Sequence, residues 1–382
     1  MDPSYLSTVK ILFIMDSLGT GGAERSTADL WYFLRESGVE VKIFILSRRK
    51  EGIEVEIQKA GFNVVFLKAG NLFSQGRAIA AQVRAFQPDI VHSVLFKSNL
   101  RTRFARLTAR FIHIESLVNC TYDPIRLKDP NIGKAAFYFY KYLDKFTSSL
   151  VDHFHSITET VKKHYIEVLG IREKKITVVY RGRDLPLPGT LSRQDIGLDV
   201  RDFMIINTGR HEFQKGQLFL VKAIGELFKQ GYSTIRLMIL GREGNATHDI
   251  RQFIEVNGLA DRVILGGYRS DVGQVLQLGD LFAFPSLYEG LGGALIEAQA
   301  AGLPIVCNDL PVLKEVVLEN ENAKIFSSED IKSIVKAILF FYDQREQRTL
   351  FGKRSLENFE QKFNLSTIHQ KMLQLYQKLC SA

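Results

Sequence analysis

The segment "FPSLYEGLGGALIEAQAAGLPIVCND", Phe284 to Asp309, begins as an apolar run that ends at Ser286. A loop carrying Glu289 follows. Gly290, Leu291, Gly292 and Gly293 then lead into a helical stretch holding Glu297, and a second apolar run, "PIVCND", closes the segment. Strand, glycine turn, helix and strand together make a parallel βαβ unit. Glycines let backbone N–H groups come close to a ligand. A helix N-terminus adds partial positive charge, so such a turn suits a phosphate.

Glu289 and Glu297 have seven residues between them. On one continuous helix they would stand about 80° apart, at 100° per residue. Glu289 precedes the helix, however, and Glu297 is expected in or just after its first turn. Both can then point toward an anion held by the glycine amides. A carboxylate repels a phosphate, so the natural targets of the pair are sugar hydroxyls. Taken singly, Glu289 reads as a loop surface charge and Glu297 as a glutamate favouring its own helix dipole. Their joint setting favours a sugar site.

A related pattern occurs earlier, in "IINTGRHEFQKGQLFL", Ile205 to Leu220. Arg210 and Lys215 project from a loop between a strand and a helix. Arg can fork onto two phosphate oxygens and Lys can act as a point charge, so together they can balance a diphosphate. The plain alternative is two solvated loop cations. No Asp-x-Asp pair or His/Cys cluster offers metal ligands. The expectation is a site without a metal or a cofactor.

Working outward, the strand–helix rhythm fills the chain. Strands are expected at "KILFIMD", "VKIFILS", "NVVFLKA", "DIVHSVL" and "RFIHIES", then again at "DFMIINTG", "IRLMILG", "RVILGGY", "LFAFPS" and "PIVCND". Helices are expected at 26–37, 73–86, 217–230, 247–257, 272–278 and 293–301, with only helix beyond Ile331. This is an α/β chain with two doubly wound parallel sheets, joined near "RGRDLPLPGTLSRQ", where Pro186, Pro188 and Gly189 cluster. Ligands bind at the C-terminal ends of such strands, and two sheets facing one cleft suit a reaction between two molecules.

The first glycine turn lies in "ILFIMDSLGTGGAER", Ile11 to Arg25. Gly19, Gly21 and Gly22 do not complete G-x-G-x-x-G, because Glu24 stands at the third glycine's place. The next strand is followed by Arg48, Arg49 and Lys50 rather than an acidic residue for an NAD ribose. An NAD-dependent dehydrogenase is therefore a poor fit, while the basic run alone leaves NADP open; the donor-type loops of the second half weigh against a dinucleotide site here.

Composition bounds the rest. With 46% hydrophobic and 24% charged residues, the chain is globular. Cys120, Cys307 and Cys380 are far apart in sequence, which fits a reducing, cytoplasmic setting. "MDPSYLSTVK" lacks the apolar core of a secretion signal. Residues 1–190 hold 28 Lys and Arg against 19 Asp and Glu, and the remainder holds 22 against 23. A basic first half suits an anionic partner: a phospholipid surface, a lipid-linked phosphate or a nucleic acid. "FKSNLRTRFARLTARF" sets Arg103, Arg106 and Arg110 at helical spacing, and "KAAFYFYKYLDKF" adds lysines and aromatics. Both read as surfaces for an anionic membrane, or else as helices whose Arg stems cover the core.

"EGLGGALIEA" resembles the E-x7-E signature of the retaining glycosyltransferases of family 4, which have the two-domain GT-B fold. The "GR" and "QKG" of the second loop resemble that family's donor-phosphate loop, and "GGAER" its first glycine loop. "VDHFHSITETVKKHY" and "KITVVYRGRD" resemble the approach to its interdomain linker, although "RGRD" departs from the commoner "NGVD". "FNLSTIHQKMLQLYQKL" resembles its returning C-terminal helix. The resemblance implies a first domain over 1–185 with the helix 366–382 packing back on it, and a donor domain over 186–365. It implies that Arg210, Lys215 and the backbone of Gly290, Leu291, Gly292 and Gly293 bind the donor diphosphate. Glu289 would face the transferred sugar and Glu297 the ribose, with Gly21 and Gly22 across the cleft. A first-domain histidine near the acceptor loosely matches His113, or Glu115 takes its place; the residues themselves equally fit a buried, hydrogen-bonded strand histidine.

The implied reaction moves a sugar from a nucleotide-sugar, by default a UDP-sugar, to a hydroxyl of a glycan or lipid-linked acceptor. Configuration is retained, no metal is needed, and nucleic acid is not a partner. Rival readings are a GT-B epimerase, a glycogen-type phosphorylase, or a non-catalytic GT-B subunit that binds a partner.

Overall fold

The structure, a computed structural model, describes residues 9–19, 21–49, 52–129 and 131–381. The opening stretch 1–8 and Lys50, both used above, lie outside the described residues. The chain divides into two units: Met1–Asp123 with Ile132–Gly182 and Leu365–Ala382, and Pro124–Asn131 with Arg183–Asn364.

In the first unit, strands β1 (Lys10–Met15), β2 (Glu40–Ile45), β3 (Asn63–Phe66), β4 (Ile90–Val94), β5 (Ile112–Leu117), β6 (His153–Ser156) and β7 (Ile176–Val178) form one sheet in the order 3-2-1-4-5-6-7. All pairings are parallel. Helices α1 (Gly22–Glu36), α2 (Glu54–Lys59), α3 (Leu72–Phe86), α4 (Phe96–Ala105), α5 (Lys134–Thr147) and α6 (Glu159–Leu169) connect them. β1 reads as an almost unbroken apolar run, and β4 is buried along its whole length, because helices cover both faces of a parallel sheet.

The second unit repeats the plan. Strands β8 (Phe203–Thr208), β9 (Ile235–Leu240), β10 (Val263–Gly267), β11 (Leu281–Phe284), β12 (Ile305–Asn308) and β13 (Ala323–Phe326) form a parallel sheet in the order 10-9-8-11-12-13. Its helices are α7 (Gln217–Lys229), α8 (Thr247–Val256), α9 (Val272–Leu276), α10 (Gly293–Ala300), α11 (Pro311–Lys314), α12 (Ile331–Asp343) and α13 (Arg345–Lys362). The strands β6, β7 and β13 are short and were not among the expected ones. β7 has three residues, and β6 (HFHS) and β13 (AKIF) interrupt their apolar positions with His or Lys, so none stands out from loop as a continuous apolar run.

The last helix, α14 (Leu365–Cys380), belongs to the first unit. Its Ile368, Met372, Leu373, Leu375 and Tyr376 are buried in one core with Phe13, Trp31 and Ile43. Each such side chain contributes roughly 1.5–3 kcal/mol on burial. The apolar stripe legible in the sequence is thus the helix's docking face. Among the described residues, no helix is long and apolar enough to cross a membrane.

Candidate active site

In the second sheet the order reverses between β8 and β11, and both donor-type loops leave from these two strands. Their C-terminal ends make the switch-point crevice where open α/β sheets bind ligands. Polar side chains fix the loops from beneath. Asn207 Nδ2 donates to Ala283 O at 2.8 Å, and Gln217 Nε2 donates to Asn207 Oδ1 at 3.2 Å and to Gly209 O at 3.0 Å. Asn308 Nδ2 donates to Ser286 O at 2.9 Å and Ser328 Oγ to Pro285 O at 2.9 Å.

The two loops are also tied to each other. Leu287 N donates to Gln214 O at 2.8 Å, and Gln214 Nε2 donates to Tyr288 O at 2.8 Å. Gly216 has φ +64°, and a Cβ there would lie 2.2 Å from Pro285 O, so glycine alone fits this close approach. The result brings Lys215 to Glu289: Nζ donates to Oε1 at 2.5 Å. The Glu289 side chain is 9% exposed and that of Lys215 21%, so the pair is largely shielded from water. Arg210 is exposed, and its Nη1 lies 3.4 Å from Glu212 Oε1.

Beyond Glu289 the turn enters α10 through Gly292, whose φ is +84°. No side chain caps this N-terminus. Glu297 is the fifth residue of α10, just past its first turn. It accepts from Arg183 Nε at 2.8 Å through Oε1. The structure thus joins Lys215 to Glu289 and places Glu297 on the helix that the glycine turn begins.

Several residues of this site escaped sequence reasoning. Asn207, Gln217, Asn308 and Ser328 are polar groups next to strand ends, a signal visible in sequence but too common to select them. Asp129 and Arg126 come from the segment Pro124–Asn131 of the first half, which belongs to the second unit. Tyr288 Oη donates to Asp129 Oδ2 at 3.4 Å, and the Arg126 guanidinium lies 5.7 Å from the Tyr288 ring centre. Burial pushes the Tyr288 hydroxyl up to about 12, so it stays protonated as a donor.

In the first unit the polar residues are internal. His113 is fully buried, and its Nε2 lies 2.9 Å from Ser93 Oγ. Glu115, two residues on, accepts from Arg103 Nε at 2.7 Å and from its Nη2 at 2.5 Å. Arg103 also donates to Asp144 Oδ1 at 2.5 Å, and Asp144 Oδ2 accepts from Tyr122 Oη at 2.7 Å. Neither His113 nor Glu115 is open to an acceptor hydroxyl. Both sit inside β5, on the face covered by helices.

This arrangement also corrects the basic surface expected from Arg103, Arg106 and Arg110. Arg103 is 1% exposed, and Arg106 forks onto Asp152. The partners Glu115, Asp144 and Asp152 are distant in sequence, so local spacing could not reveal them. Of that stretch, Lys97, Leu107, Thr108 and Arg110 face solvent.

At the first glycine turn, Gly21 caps α1 with φ −71° and Gly22 begins the helix. The Glu24 carboxylate folds back over the turn, and Cβ atoms built at Gly19 and Gly21 would meet its oxygens at 2.9 and 2.6 Å. The turn accommodates a carboxylate of its own chain.

Both halves of the chain resemble known proteins. Residues 190–357 match the family model of glycosyl transferases group 1, and residues 20–186 that of glycosyltransferase family 4. The chain is 23% identical over 295 residues, 75% of each sequence, to a UDP-Gal:alpha-D-GlcNAc-diphosphoundecaprenol alpha-1,3-galactosyltransferase of Escherichia coli. It is 25% identical over 361 residues, 90% of this chain and 91% of the relative, to the capsular polysaccharide biosynthesis glycosyltransferase CapM of Staphylococcus aureus. The crystal structure of Anabaena HepE in complex with UDP and glucose superposes with a TM-score of 0.83 at 19% identity, covering 97% of this chain and 100% of that one. With its two Rossmann-like units and both halves matched by glycosyltransferase families, the chain is a glycosyltransferase of the GT-B fold, similar to those of family 4.

Proposed function

We propose that this enzyme transfers a sugar from a UDP-sugar to a hydroxyl of a glycan or lipid-linked acceptor, with retained configuration and without a metal. The observation that carries the reading is the shielded Lys215–Glu289 pair beside the glycine turn of α10. It sets a cation and a carboxylate side by side at a helix N-terminus. Lys215 has three donors and spends one on Glu289, leaving others for phosphate oxygens.

In this reading Arg210, Lys215 and the backbone from Gly290 to Gly293 bind the diphosphate, and Gly21 and Gly22 are further donor contacts. Glu289 holds hydroxyls of the transferred sugar and Glu297 the ribose. The bond to the diphosphate breaks ahead of attack, through an oxocarbenium-like transition state. Charge grows on the leaving diphosphate, where fixed donors typically supply a few kcal/mol each. The acceptor attacks on the same face, and a phosphate oxygen takes its proton. Glu289 orients the sugar and is given no nucleophilic role. No residue is assigned as the acceptor-side base, since His113 and Glu115 are buried and engaged.

The names of relatives, a diphosphoundecaprenol-linked GlcNAc galactosyltransferase and a capsular polysaccharide enzyme, support a role in building cell-envelope polysaccharide or glycolipid. The membrane reading narrows to α5. Asp144 is the buried residue of α5, while Phe139 is 62% and Phe146 78% exposed, and Tyr138, Tyr140 and Tyr142 are exposed with them. Lys134 and Lys145 share that exposed surface. Aromatic rings with lysines suit the headgroup region of an anionic bilayer at the cytoplasmic face.

The function is tested by incubating the enzyme with UDP-sugars and an undecaprenyl-diphosphate glycan, and reading the new anomeric centre by NMR. An α-glycoside formed from an α-linked donor, with EDTA present, is the expected result. Inversion, strict metal dependence, or an epimerised donor with no new glycoside would overturn the corresponding part. For the membrane, exchanging Phe139 and Phe146 for serine should weaken binding to phosphatidylglycerol vesicles by about tenfold. Unchanged binding would remove α5 from that role.

A further inference from the structure

The run Arg181 to Asp184 departs from the pattern that the chain otherwise resembles, and Arg183 is the residue that reaches the site. Its backbone is fixed: the N–H donates to Phe363 O at 3.0 Å, and it forms a bridge with Asn364. The chain enters the second unit at Arg183 and leaves it after Asn364. The side chain therefore starts from a rigid root, where both passages of the chain are held together.

From that root the guanidinium reaches the first turns of α10. Nε donates to Glu297 Oε1 at 2.8 Å. Nη2 lies against Gly293, where a Cβ would stand 2.6 Å away. The Arg183 side chain is 15% exposed and that of Glu297 37%. A guanidinium beside a helix N-terminus opposes the partial positive charge there. Glu297 offsets it, and the Cβ-free surface of Gly293 makes room for it. With Oε1 engaged, Oε2 of Glu297 keeps its acceptor capacity in a defined direction.

We infer that Arg183 is a positioning residue: it fixes the Glu297 carboxylate so that its remaining oxygen meets the paired ribose hydroxyls of the donor nucleotide. This rests on the reading of Glu297 as the ribose ligand. A partly exposed ion pair by itself stabilises a fold little. The value of this pair lies in removing rotamer freedom from Glu297 before the ligand arrives.

The test compares two ligands. Of UDP, GDP and ADP, the one giving the largest thermal shift is titrated calorimetrically beside its 2′,3′-dideoxy form. The wild type should prefer the ribose form by about tenfold to a hundredfold, the worth of hydrogen bonds to a charged group. Glu297→Ala should bind both alike. Arg183→Ala should lose most of the preference, and Arg183→Lys should recover part of it, with circular dichroism confirming that each variant is folded. Arg183→Ala with the full wild-type preference, while Glu297→Ala has lost it, overturns the inference alone. An unselective wild type, or full preference surviving in Glu297→Ala, overturns the ribose reading and the inference with it. Failure of all three nucleotides to bind would do the same.

Discussion

In the six-stranded unit the charged side chains of the site come after their strands have ended: Lys215 lies seven residues beyond β8 and Glu289 five beyond β11. In the seven-stranded unit the comparable groups lie within strands: His92 in β4, His113 and Glu115 in β5, His155 in β6. The two units share a winding order, yet these groups meet opposite fates. A residue inside a parallel sheet is covered on both faces and must find partners in the protein. One past the C-terminal end emerges at the crevice. Motif-hunting that ignores position along the strand confuses the two, as His113 and Glu115 show.

The internal groups are accordingly paired with one another. His92 Nδ1 lies 2.7 Å from Tyr376 Oη and its Nε2 2.8 Å from Ser116 Oγ, which in turn lies 2.9 Å from His155 Nδ1. His155 Nε2 lies 2.9 Å from Val179 O. Burial holds His92 well below the usual histidine range and lowers His155 to about 4. This chain of contacts ties β4, β5, β6 and α14 together, and both rings are neutral.

The contrast can be broken in three places. On catalysis the largest expected effect is at Lys215→Ala, which should lower transfer by about 10²–10³-fold, the usual cost of one lost transition-state donor, while thermal unfolding stays near wild type. Transfer at the wild-type rate would show that the emergent pair does no chemistry.

Next is Arg103→Ala in the seven-stranded unit. Leaving Glu115 and Asp144 buried without their partner should cost about 3–5 kcal/mol. Urea unfolding followed by the fluorescence of Trp31, the chain's single tryptophan and part of that unit's core, reads this loss. A cost below about 1 kcal/mol, the range of surface pairs, would mean that the cluster is not internal.

The smallest effect concerns His155. Its folded-state pKa lies below the unfolded value of 6.5, so the unfolded chain binds more protons between the two. Stability is present above pH 6.5 and is lost as pH falls toward 4. Between pH 7 and pH 5 the residue should cost about 2 kcal/mol, at 1.36 kcal/mol per pH unit. The same Trp31 signal should show a shallower pH dependence in His155→Asn. An identical slope would remove His155 from the buried set.

Much of this architecture was legible in one sequence. The alternation of apolar runs and helical periods marked ten strands and the duplicated winding, because long buried strands and amphipathic helices write their period locally. The glycines at 290, 292 and 293 marked a turn entering a helix N-terminus, and at Gly292, with φ +84°, few other residues permit the backbone. The sequence of α14 declared a docking face, and Glu289, Glu297, Arg210 and Lys215 declared a chemistry of anions and hydroxyls. Tertiary structure alone decided which charges meet. Lys215 and Glu289 are 74 residues apart, Arg183 and Glu297 114, and Arg103 and Asp144 41. It also turned α5 outward and α4 inward, although both carry basic and aromatic residues. Periodicity is a property of neighbours along the chain, whereas burial and ion pairing depend on neighbours in space.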